Sequence, residues 1–521
     1  MSVRQGNLSS LLILEHFGEP HRKIHDELLW GPRTLKLIIS NTGVPITIVK
    51  KVLSIFIQYG FVTFDSNKIG IAEYVLQPEK ILLLLRYPRY LSLINEKYGD
   101  SSRHLIEVVL KFGRLTATKT ILQAWIKLKV VNASGNLAKF NTKVAGLRDS
   151  FNELVTNQYL VKCPAPENDV ERVPILSVKD EDMHKPVVLD IQKLIQLEKG
   201  EIKEETIEND KDLWRCNFDR FHQDIRDEIM INAIKRRFDS HAGKLMEVLL
   251  KLIYIRTDPW TTQSNPVPLA EIRDALEKEK CNPYLIQYLE QYIKVIEDDS
   301  CQFIKRISEG SSGSVYVNFV SAFRSLASST IDSIVEHRFG LKAARIFRLV
   351  RSKIYIDQEQ LQKIVLIPDK EAKQLTYRLL QESFLQLHEL KKAATSGGPV
   401  KNFYLFHIKF NQVCQVVLDM CFITVSNTLS RATYEKNENM RLIEKFEKLT
   451  SLTQSLRDQG NDETYIKQVM DELMSPPEKS LLDSVEGMIQ KLRFSELNLD
   501  ETLFILHLYG YYDSFENQEK K

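Results

Sequence analysis

Between residues 47 and 59, apolar and polar positions separate onto two faces of a predicted helix. Apolar residues recur at helical spacing on one face, Ile48, Val52, Ile55 and Tyr59, with Val49, Leu53 and Phe56 alongside. Polar residues take the opposite face at the same spacing: Thr47, Lys51, Ser54 and Gln58. Pro45 suits the first turn, where its missing N–H costs nothing, and Gly60 suits the end because glycine tolerates positive φ.

A hairpin is predicted directly after this helix. FVTF and IGIAEY are rich in strand-forming residues, and the turn-prone DSNK joins them. Two shorter helical stretches precede the helix, around LSSLLILEHF and TLKLIIS. Three helices followed by a hairpin is the order of a winged helix, in which the third helix is the potential recognition element and the hairpin is the wing.

This unit repeats along the chain. Residues 44–64 align without a gap on residues 367–387, and the alignment pairs Pro45 with Pro368 and Phe61 with Phe384. Two looser copies lie between them, one leading into QYLVKC and the other into CQFIKRI. The pattern therefore predicts four winged helices in tandem.

The apolar spacing changes after residue 410. Apolar residues then step by four and three: Leu418, Phe422, Val425, Leu429 and Ala432. Ile443 and Phe446 resume the spacing after a polar break, and RDQGNDE (457–463) is typical of a turn. A heptad seam that folds back at a turn predicts a helical hairpin, an antiparallel coiled coil.

The predicted fold class is mainly α with small β wings: four tandem extended winged-helix domains followed by a C-terminal antiparallel coiled coil. The predicted boundaries are 1–90, 91–165, 213–322 and 323–410 for the winged helices, 166–212 for an acidic linker and 411–521 for the helical hairpin.

Composition narrows the function classes. A formal net charge of +2 over 521 residues argues against a protein that coats nucleic acid, so any contact with nucleic acid must come from local patches. The six cysteines include no CxxC pair, which predicts buried, reduced thiols. No apolar run approaches the ~18 residues that cross a bilayer, so an intracellular protein without a membrane contact is expected.

No catalytic pattern is present in the sequence. GxSxG, GxGxxG and Walker patterns are all missing. His21 and His25 have the spacing of a helical metal pair, but HRKIH lacks the glutamate of HExxH, and a surface pair is expected. The sequence therefore predicts no catalytic residue, no metal, no cofactor and no enzyme activity of its own.

The segment RYPRY contains the first candidate nucleic-acid site. Arg86 and Arg89 bracket Tyr87 and Tyr90, and this interleaving suits single strands because arginine meets phosphate while tyrosine stacks a base. In the alternative interpretation, the segment anchors the first domain to the second and the tyrosines are buried.

Other basic positions are further candidates. Lys50 and Lys51 lie on the first recognition helix, and Lys68 lies at the tip of its wing. A basic stripe runs along a later predicted helix: Arg338, Lys342, Arg345 and Arg348. So much charge of one sign suggests an acidic partner, either DNA or an acidic surface of another protein, and the sequence does not choose between them.

Five long motifs carry a resemblance to a known family: LLRYPRY (84–90), LWRCNFDRFHQDIRD (213–227), RFGLKAARIFRLV (338–350), IPDKEAKQLTYRLL (367–380) and YEKNENMRLIEK (434–445). Through them the chain resembles the RNA polymerase III subunit built of four extended winged helices and a coiled coil. That subunit is the largest member of the polymerase III-specific initiation heterotrimer. The resemblance covers nearly the whole chain.

The resemblance implies a non-catalytic nuclear subunit. Its implied partners are two heterotrimer subunits, the polymerase clamp of the largest subunit, the initiation factor bound upstream of the start site, and single-stranded DNA. It also implies a part in promoter opening and, for the polymerase of animals, in sensing cytosolic DNA. One departure is the segment after the second unit, which is short and acidic here but longer and partly basic in the family.

Two other classes remain open from the residues themselves. One is a stand-alone, sequence-specific transcription regulator, which would not co-purify with polymerase. The other is a winged-helix scaffold of a large protein complex with no DNA role, which would not bind single strands at any salt concentration. Largely uncharged or mixed faces on the recognition helices favour docking to proteins over reading of bases.

Overall fold

The computed structural model describes residues 2–66, 70–133, 144–166, 173–174, 176–177, 182–187, 212–254, 256–280, 282–307, 313–392, 401–458, 469–470 and 472–519. These residues form two compact bodies. The first body comprises 1–222 and 425–497, and the second body comprises 223–424 and 498–521.

Helices dominate both bodies, as the sequence predicts. In chain order the described helices are α1 Val3–Phe17, α2 Glu19–Leu28, α3 Leu35–Thr42, α4 Ile46–Tyr59, α5 Pro78–Leu82, α6 Tyr87–Phe112, α7 Ala117–Ala133, α8 Val144–Thr156, α9 Phe218–Arg237, α10 Ser240–Ile253, α11 Leu269–Lys278, α12 Pro283–Gln287, α13 Leu289–Asp298, α14 Phe319–Phe339, α15 Leu341–Lys353, α16 Gln358–Val365, α17 Asp369–Gln381, α18 Phe410–Glu438, α19 Met440–Asp458 and α20 Pro476–Glu519.

The strands are short and lie mostly in hairpins. They are β1 Arg33–Thr34, β2 Val62–Ser66, β3 Ala72–Leu76, β4 Leu115–Thr116, β5 Leu160–Lys162, β6 Ala165–Pro166, β7 Leu176–Ser177, β8 Leu213–Cys216, β9 Val267–Pro268, β10 Ile304–Ile307, β11 Ser314–Val317, β12 Gln386–Lys392 and β13 Lys401–His407. A mainly helical chain with small sheets agrees with the predicted fold class.

The predicted recognition helix is α4, and only part of its predicted apolar face is buried. The fully buried residues are Val49, Val52, Leu53 and Phe56. Ile48, which the spacing assigns to the core, is exposed. Because two apolar stripes overlap on this helix, periodicity alone does not decide which of them faces the core.

The same backbone geometry ends one helix in each of four repeats. A residue with positive φ follows α4, α8, α13 and α17: Gly60, Gln158, Gln302 and Ser383. The next residue is in each case a buried aromatic: Phe61, Tyr159, Phe303 and Phe384. After α4, α8 and α17, this aromatic donates its backbone N–H to the carbonyl five residues earlier, at 2.8–2.9 Å. The left-handed residue thus closes the helix and turns the aromatic into the core.

A small antiparallel sheet completes each repeat. The first three sheets have three strands each, in the orders β1–β3–β2, β4–β8–β5 and β9–β11–β10. In the fourth repeat β12 pairs with β13 over seven residues, and Ile356 bridges Phe406 where the other repeats have a short upstream strand. In each repeat a residue with positive φ therefore links a helix to a strand of a small antiparallel sheet.

The second sheet changes a predicted boundary. β8 pairs with β5 through Cys216 and Leu160, and with β4 through Trp214 and Leu115. Residues 166–212, predicted as a linker between domains, therefore connect two strands of one sheet. Residues 213–216, predicted to open the third domain, belong to the sheet of the second repeat. The sequence does not reveal this pairing because hairpin signals are local and this connection is long.

The residue with positive φ, Gly60 in the first repeat and Ser383 in the fourth, offers a matched pair of substitutions. We expect Ser383→Gly to raise the free energy of unfolding by about 0.5–1 kcal/mol, because a serine at φ 63° carries a steric cost that glycine lacks. Gly60→Ser should have the opposite effect, since an added Cβ at Gly60 meets no atom within 4 Å and only the backbone conformation is strained. Hydrogen exchange of α17 and α4 measures both changes. Equal signs would contradict the equivalence of the two turns.

The C-terminal helices contain the predicted polar break. α18 ends at Glu438, and α19 begins at Met440 after Asn439. In the first body, Leu449 of α19 packs with Met474 and with Leu482 of α20. The predicted turn at 457–463 lies mostly outside the described residues.

One described helix, α18, is long and apolar enough to cross a bilayer by length and composition. Of its most apolar 18-residue window, 44% is buried within the protein, including Val417 and Phe422. The bent pair of α3 and α4 also passes that test. Five of the six cysteines lie among the described residues, where all are buried and free, as predicted: Cys163, Cys216, Cys301, Cys414 and Cys421.

Candidate nucleic-acid and partner-docking surfaces

The segment RYPRY is packed inside the first body. It spans the end of a 3-10 turn, Leu83–Arg86, and the first residues of α6. Tyr90 is completely buried, with its ring centroid 4.8 Å from that of Phe221. Its hydroxyl forms a 2.8 Å hydrogen bond with Nε2 of His222. Tyr87 stacks on Phe218 at 6.1 Å with an interplanar angle of 10°.

This packing corrects the prediction that the tyrosines stack bases. Both rings lie against aromatic side chains of the protein, and burial raises the pKa of the Tyr87 hydroxyl. Arg86 is only 7% exposed, and Arg89 is half-buried. The structure thus favours the alternative interpretation, in which the segment is an internal anchor. Alternation of tyrosine and arginine serves both purposes, so the sequence could not separate them.

The exposed part of α4 carries two free cations. Lys50 and Lys51 are both exposed, and neither forms an ion pair with any described residue. They lie beside a cleft of about 250 Å³ lined by Leu35, Lys50, Leu53, Ser54, Ile57 and Tyr74. Lys68, the third predicted cation of this repeat, lies outside the described residues.

The C-terminal end of α4 is already occupied by a protein contact. The side-chain amide of Gln58 donates to the carbonyl of Phe112 at 2.7 Å, and the hydroxyl of Tyr59 donates to the carbonyl of Lys111. Gln58 therefore binds the end of α6 in the same body instead of facing a groove of DNA. Only the N-terminal part of the predicted recognition surface remains open.

The basic stripe on α14 and α15 is neutralised within the second body. Arg338 pairs with Glu382 at 2.9 Å and Lys342 with Glu371 at 2.6 Å. Arg348 pairs with Glu336 at 2.9 Å. Arg345 donates to the carbonyl of Val365 at 3.3 Å.

These contacts correct the expectation of an acidic partner for the stripe. The acidic groups come from the same body, from residues 12–44 positions away in the chain. Such exposed ion pairs contribute little to stability, so another anion could replace the carboxylates. In the free protein, however, the stripe is not an unbalanced positive surface. Sequence distance hid the partners, because only pairs three or four residues apart are visible as a pattern.

The prediction of a surface pair for the two histidines near the N-terminus, His21 and His25, is wrong. His25 is fully buried, with Nε2 3.0 Å from the Ser9 hydroxyl and Nδ1 3.1 Å from Asp26. His21 packs against Phe17 and Phe56, and burial lowers its pKa. Both imidazoles are thus packing groups of the first repeat.

Two features of the second body were missed by the sequence analysis. The first is a group of exposed apolar residues on the fourth wing: Leu387, Leu390, Phe403 and Tyr404. Their alternation was visible as strand character, but not their exposure on both faces of the hairpin. The second is the buried Arg226, which the sequence analysis did not single out.

Four family models match successive parts of the chain. They are described as the RNA polymerase III subunit RPC82 helix-turn-helix domain (residues 7–67), RNA polymerase III subunit RPC82 (176–326), the POLR3C C-terminal winged-helix domain (331–408) and the helical hairpin domain of DNA-directed RNA polymerase III subunit RPC3 (441–505). The first and third matches fall on the first and fourth repeats, and the last falls on α19 and α20.

Whole-chain relatives carry one description, DNA-directed RNA polymerase III subunit RPC3. The protein of Bos taurus is 30% identical over 541 residues, which cover 98% of this chain and 99% of the relative. That of Homo sapiens is 29% identical, with 98% of each chain covered. That of Danio rerio is 30% identical over 546 residues, again with 98% of each chain covered.

Proposed function

The chain belongs to the RPC3 family of RNA polymerase III subunits, and from this premise we propose that it acts in transcription initiation as a non-catalytic subunit in the nucleus. The observation that carries this proposal is the match over 98% of the chain and 99% of a relative. In the proposed role the subunit joins two others in a heterotrimer on the clamp of the largest subunit. There it contacts the upstream initiation factor and helps open the promoter. A part in sensing cytosolic DNA extends the proposal to the polymerase as a whole.

We further propose that the four repeats are four extended winged-helix domains and that the C-terminal helices form an antiparallel coiled coil. The repeated left-handed exit and the three-stranded sheets support the first part. Packing of Leu449 against Leu482 supports the second.

Protein docking is the proposed main use of these domains. The helix end at Gln58 already binds backbone of its own body, and the stripe at 338–348 is neutralised internally. Base reading requires polar side chains that reach into a groove, and the open part of α4 offers two lysines among small polar residues and the exposed Ile46 and Ile48. The form of DNA that remains as a ligand is the melted single strand, whose phosphates the two lysines would bind by charge.

Purification from cells tests the role as a subunit. A chromosomally tagged chain should bring down the catalytic subunits of RNA polymerase III and two further partners in equal amounts, and the isolate should extend RNA on a template. A chain that purifies alone, or with a complex lacking polymerase activity, would contradict the proposal. The second outcome would favour the winged-helix scaffold without a DNA role.

Charge neutralisation on α4 tests the contact with DNA. We expect Lys50→Gln with Lys51→Gln to flatten the slope of log affinity against log salt for single-stranded DNA by about 1.4, because each lost phosphate contact removes about 0.7. The matched control is Lys342→Gln with Arg348→Gln, which removes two cations that are already paired and should leave the slope unchanged. An unchanged slope in the α4 variant would remove α4 from the DNA-binding surface.

A further inference from the structure

The wing of the fourth repeat exposes apolar side chains on both of its faces. Leu390 and Phe403 are opposite each other in the register, and they are 45% and 50% exposed. On the other face, Leu387 and Tyr404 are similarly exposed. A two-stranded hairpin is only marginally stable in water unless a third strand or another element covers it. The free protein therefore presents a surface that is incomplete as it stands.

The outer edge of β12 is the open position for a third strand. β12 pairs only with β13, and no other strand pairs with it among the described residues. The other edge of the hairpin is partly occupied, because Phe406 of β13 forms an isolated β-bridge with Ile356. On the outer edge of β12 the seven-residue strand leaves the backbone N–H and C=O groups of alternate residues without a strand partner, and these groups form a template for an added strand.

A strained turn lies next to this wing. Ile354 has φ 65° and ψ −58°, and the N–H of Tyr355 donates to the carbonyl of Lys353 at 2.7 Å, which defines a γ-turn. A β-branched residue is costly in this conformation, yet Ile354 is 67% exposed and packs little of its side chain. The ring of Tyr355 lies 5.5 Å from those of His388 and His407, so the turn adjoins the hairpin.

The charge around the wing is positive. Lys353 and Lys409 are exposed, and neither forms an ion pair with a described residue. β12 and β13 together contain three lysines and one glutamate. The pKa of His407 is lowered by burial and by the nearby Lys409 and His388, as expected where cations gather.

We propose that the fourth wing binds an extended, acidic and apolar segment of another polymerase III subunit, which adds as a strand to the outer edge of β12. The inference rests on the proposed function for the identity of the assembly. The backbone edge supplies the pairing, Leu390 and Phe403 cover alternate apolar side chains of the segment, and the lysines meet its carboxylates.

The observations favour a protein segment over nucleic acid. Two of the exposed wing residues are leucines, which offer a base no aromatic face. A free strand edge recognises backbone amides and carbonyls, and nucleic acid has no equivalent row of groups. A second copy of this chain would bring the same positive charge to the interface, which opposes pairing.

Photo-crosslinking in the assembled polymerase tests the proposal. A benzophenone amino acid is placed at Leu390 in one variant and at Phe403 in another. The control position is Leu366, which is 84% exposed in the same repeat but lies outside the wing. We expect both wing positions to crosslink to one segment of a partner subunit, rich in Asp or Glu alternating with apolar residues, and the control position to miss that segment.

Hydrogen exchange gives an independent measurement. Amides of Gln386–Lys392 should exchange more slowly in the polymerase than in the isolated subunit. Leu390→Ser with Phe403→Ser should speed their exchange in the polymerase on the order of tenfold, whereas Leu366→Ser should not. Because both wing residues are exposed, these substitutions are not expected to unfold the domain, and α14 exchange serves as the internal check.

Several outcomes would overturn the proposal. They are crosslinks to DNA, to a second copy of this chain or to a basic segment, and equal exchange of β12 in the free and assembled subunit. Failure of the proposed function is distinguishable, because the tagged subunit would then not co-purify with polymerase at all. If it co-purifies and the wing stays uncovered, only the inference about the wing is wrong.

Discussion

Replacing Arg226 with alanine is expected to lower the free energy of unfolding of the second body by about 3–5 kcal/mol, the usual cost of breaking a buried ion pair. The Arg226 side chain is 2% exposed. Its guanidinium donates two hydrogen bonds to Asp227 and one of 2.7 Å to the carbonyl of Pro259. It also lies 3.9 Å from the ring centroid of Phe319.

The reason for the large effect is the group that would be left behind. Burial by itself would lower the pKa of the Arg226 guanidinium, but Asp227 and Tyr512 together more than offset this and the pKa is raised. Without the guanidinium, a largely buried carboxylate and a buried carbonyl would each lose a donor. The ring of Phe319, on which Tyr512 of α20 stacks, would lose its cation.

Hydrogen exchange of α14 amides measures this loss locally, which matters because a chain with several domains does not unfold in one step. Arg256→Ala is the matched control: its ion pair with Glu271 is exposed, and little change is expected. If Arg226→Ala leaves α14 exchange as slow as in the wild type, the arginine does not hold α14 in place.

Tyr90→Ala is expected to destabilise the first body by about 3–5 kcal/mol, as for other large aromatic side chains removed from a core. The ring is fully buried against Phe221 and Phe218, so its removal leaves a cavity. Hydrogen exchange of α6 measures the effect. A base-stacking role for this tyrosine requires a different result, namely weaker binding of single-stranded DNA by a protein of unchanged stability.

Tyr90→Phe separates packing from hydrogen bonding at the same position. It keeps the ring and removes only the hydroxyl that bonds to His222, so a loss of about 1 kcal/mol is expected. If alanine and phenylalanine cost the same, the hydroxyl rather than the ring anchors the segment. If neither destabilises the protein while both weaken DNA binding, the interpretation of RYPRY as an internal anchor is wrong.

The repeat explains why so much of the fold was visible in advance. Helix periodicity, Pro45 before α4 and Gly60 after it are local signals, and they place the helix and hairpin within a few residues. In the fourth repeat Ser383 stands where the first has Gly60, and the backbone still takes positive φ there. Packing of the aromatic that follows overrides the residue's own preference.

The candidate sites were predicted less well, because their function depends on exposure and on distant partners. Lys342 looks the same in the sequence as Lys51, yet Glu371 neutralises one and no described residue neutralises the other. Tyr90 looks like a residue that stacks bases until Phe221 and His222, more than 130 positions away, enclose it.

The order of apolar and polar residues was therefore enough to define the helices and three of the wings, since these depend on contacts between near neighbours. The resemblance in five long motifs indicated the family. Tertiary structure decided which face of α4 is buried, where β8 pairs, and which cations stay free. Those outcomes depend on contacts between residues tens to hundreds of positions apart, and no local pattern encodes them. The wing of the fourth repeat is the clearest example, because its strands were predictable and the exposure of its apolar side chains on both faces was not.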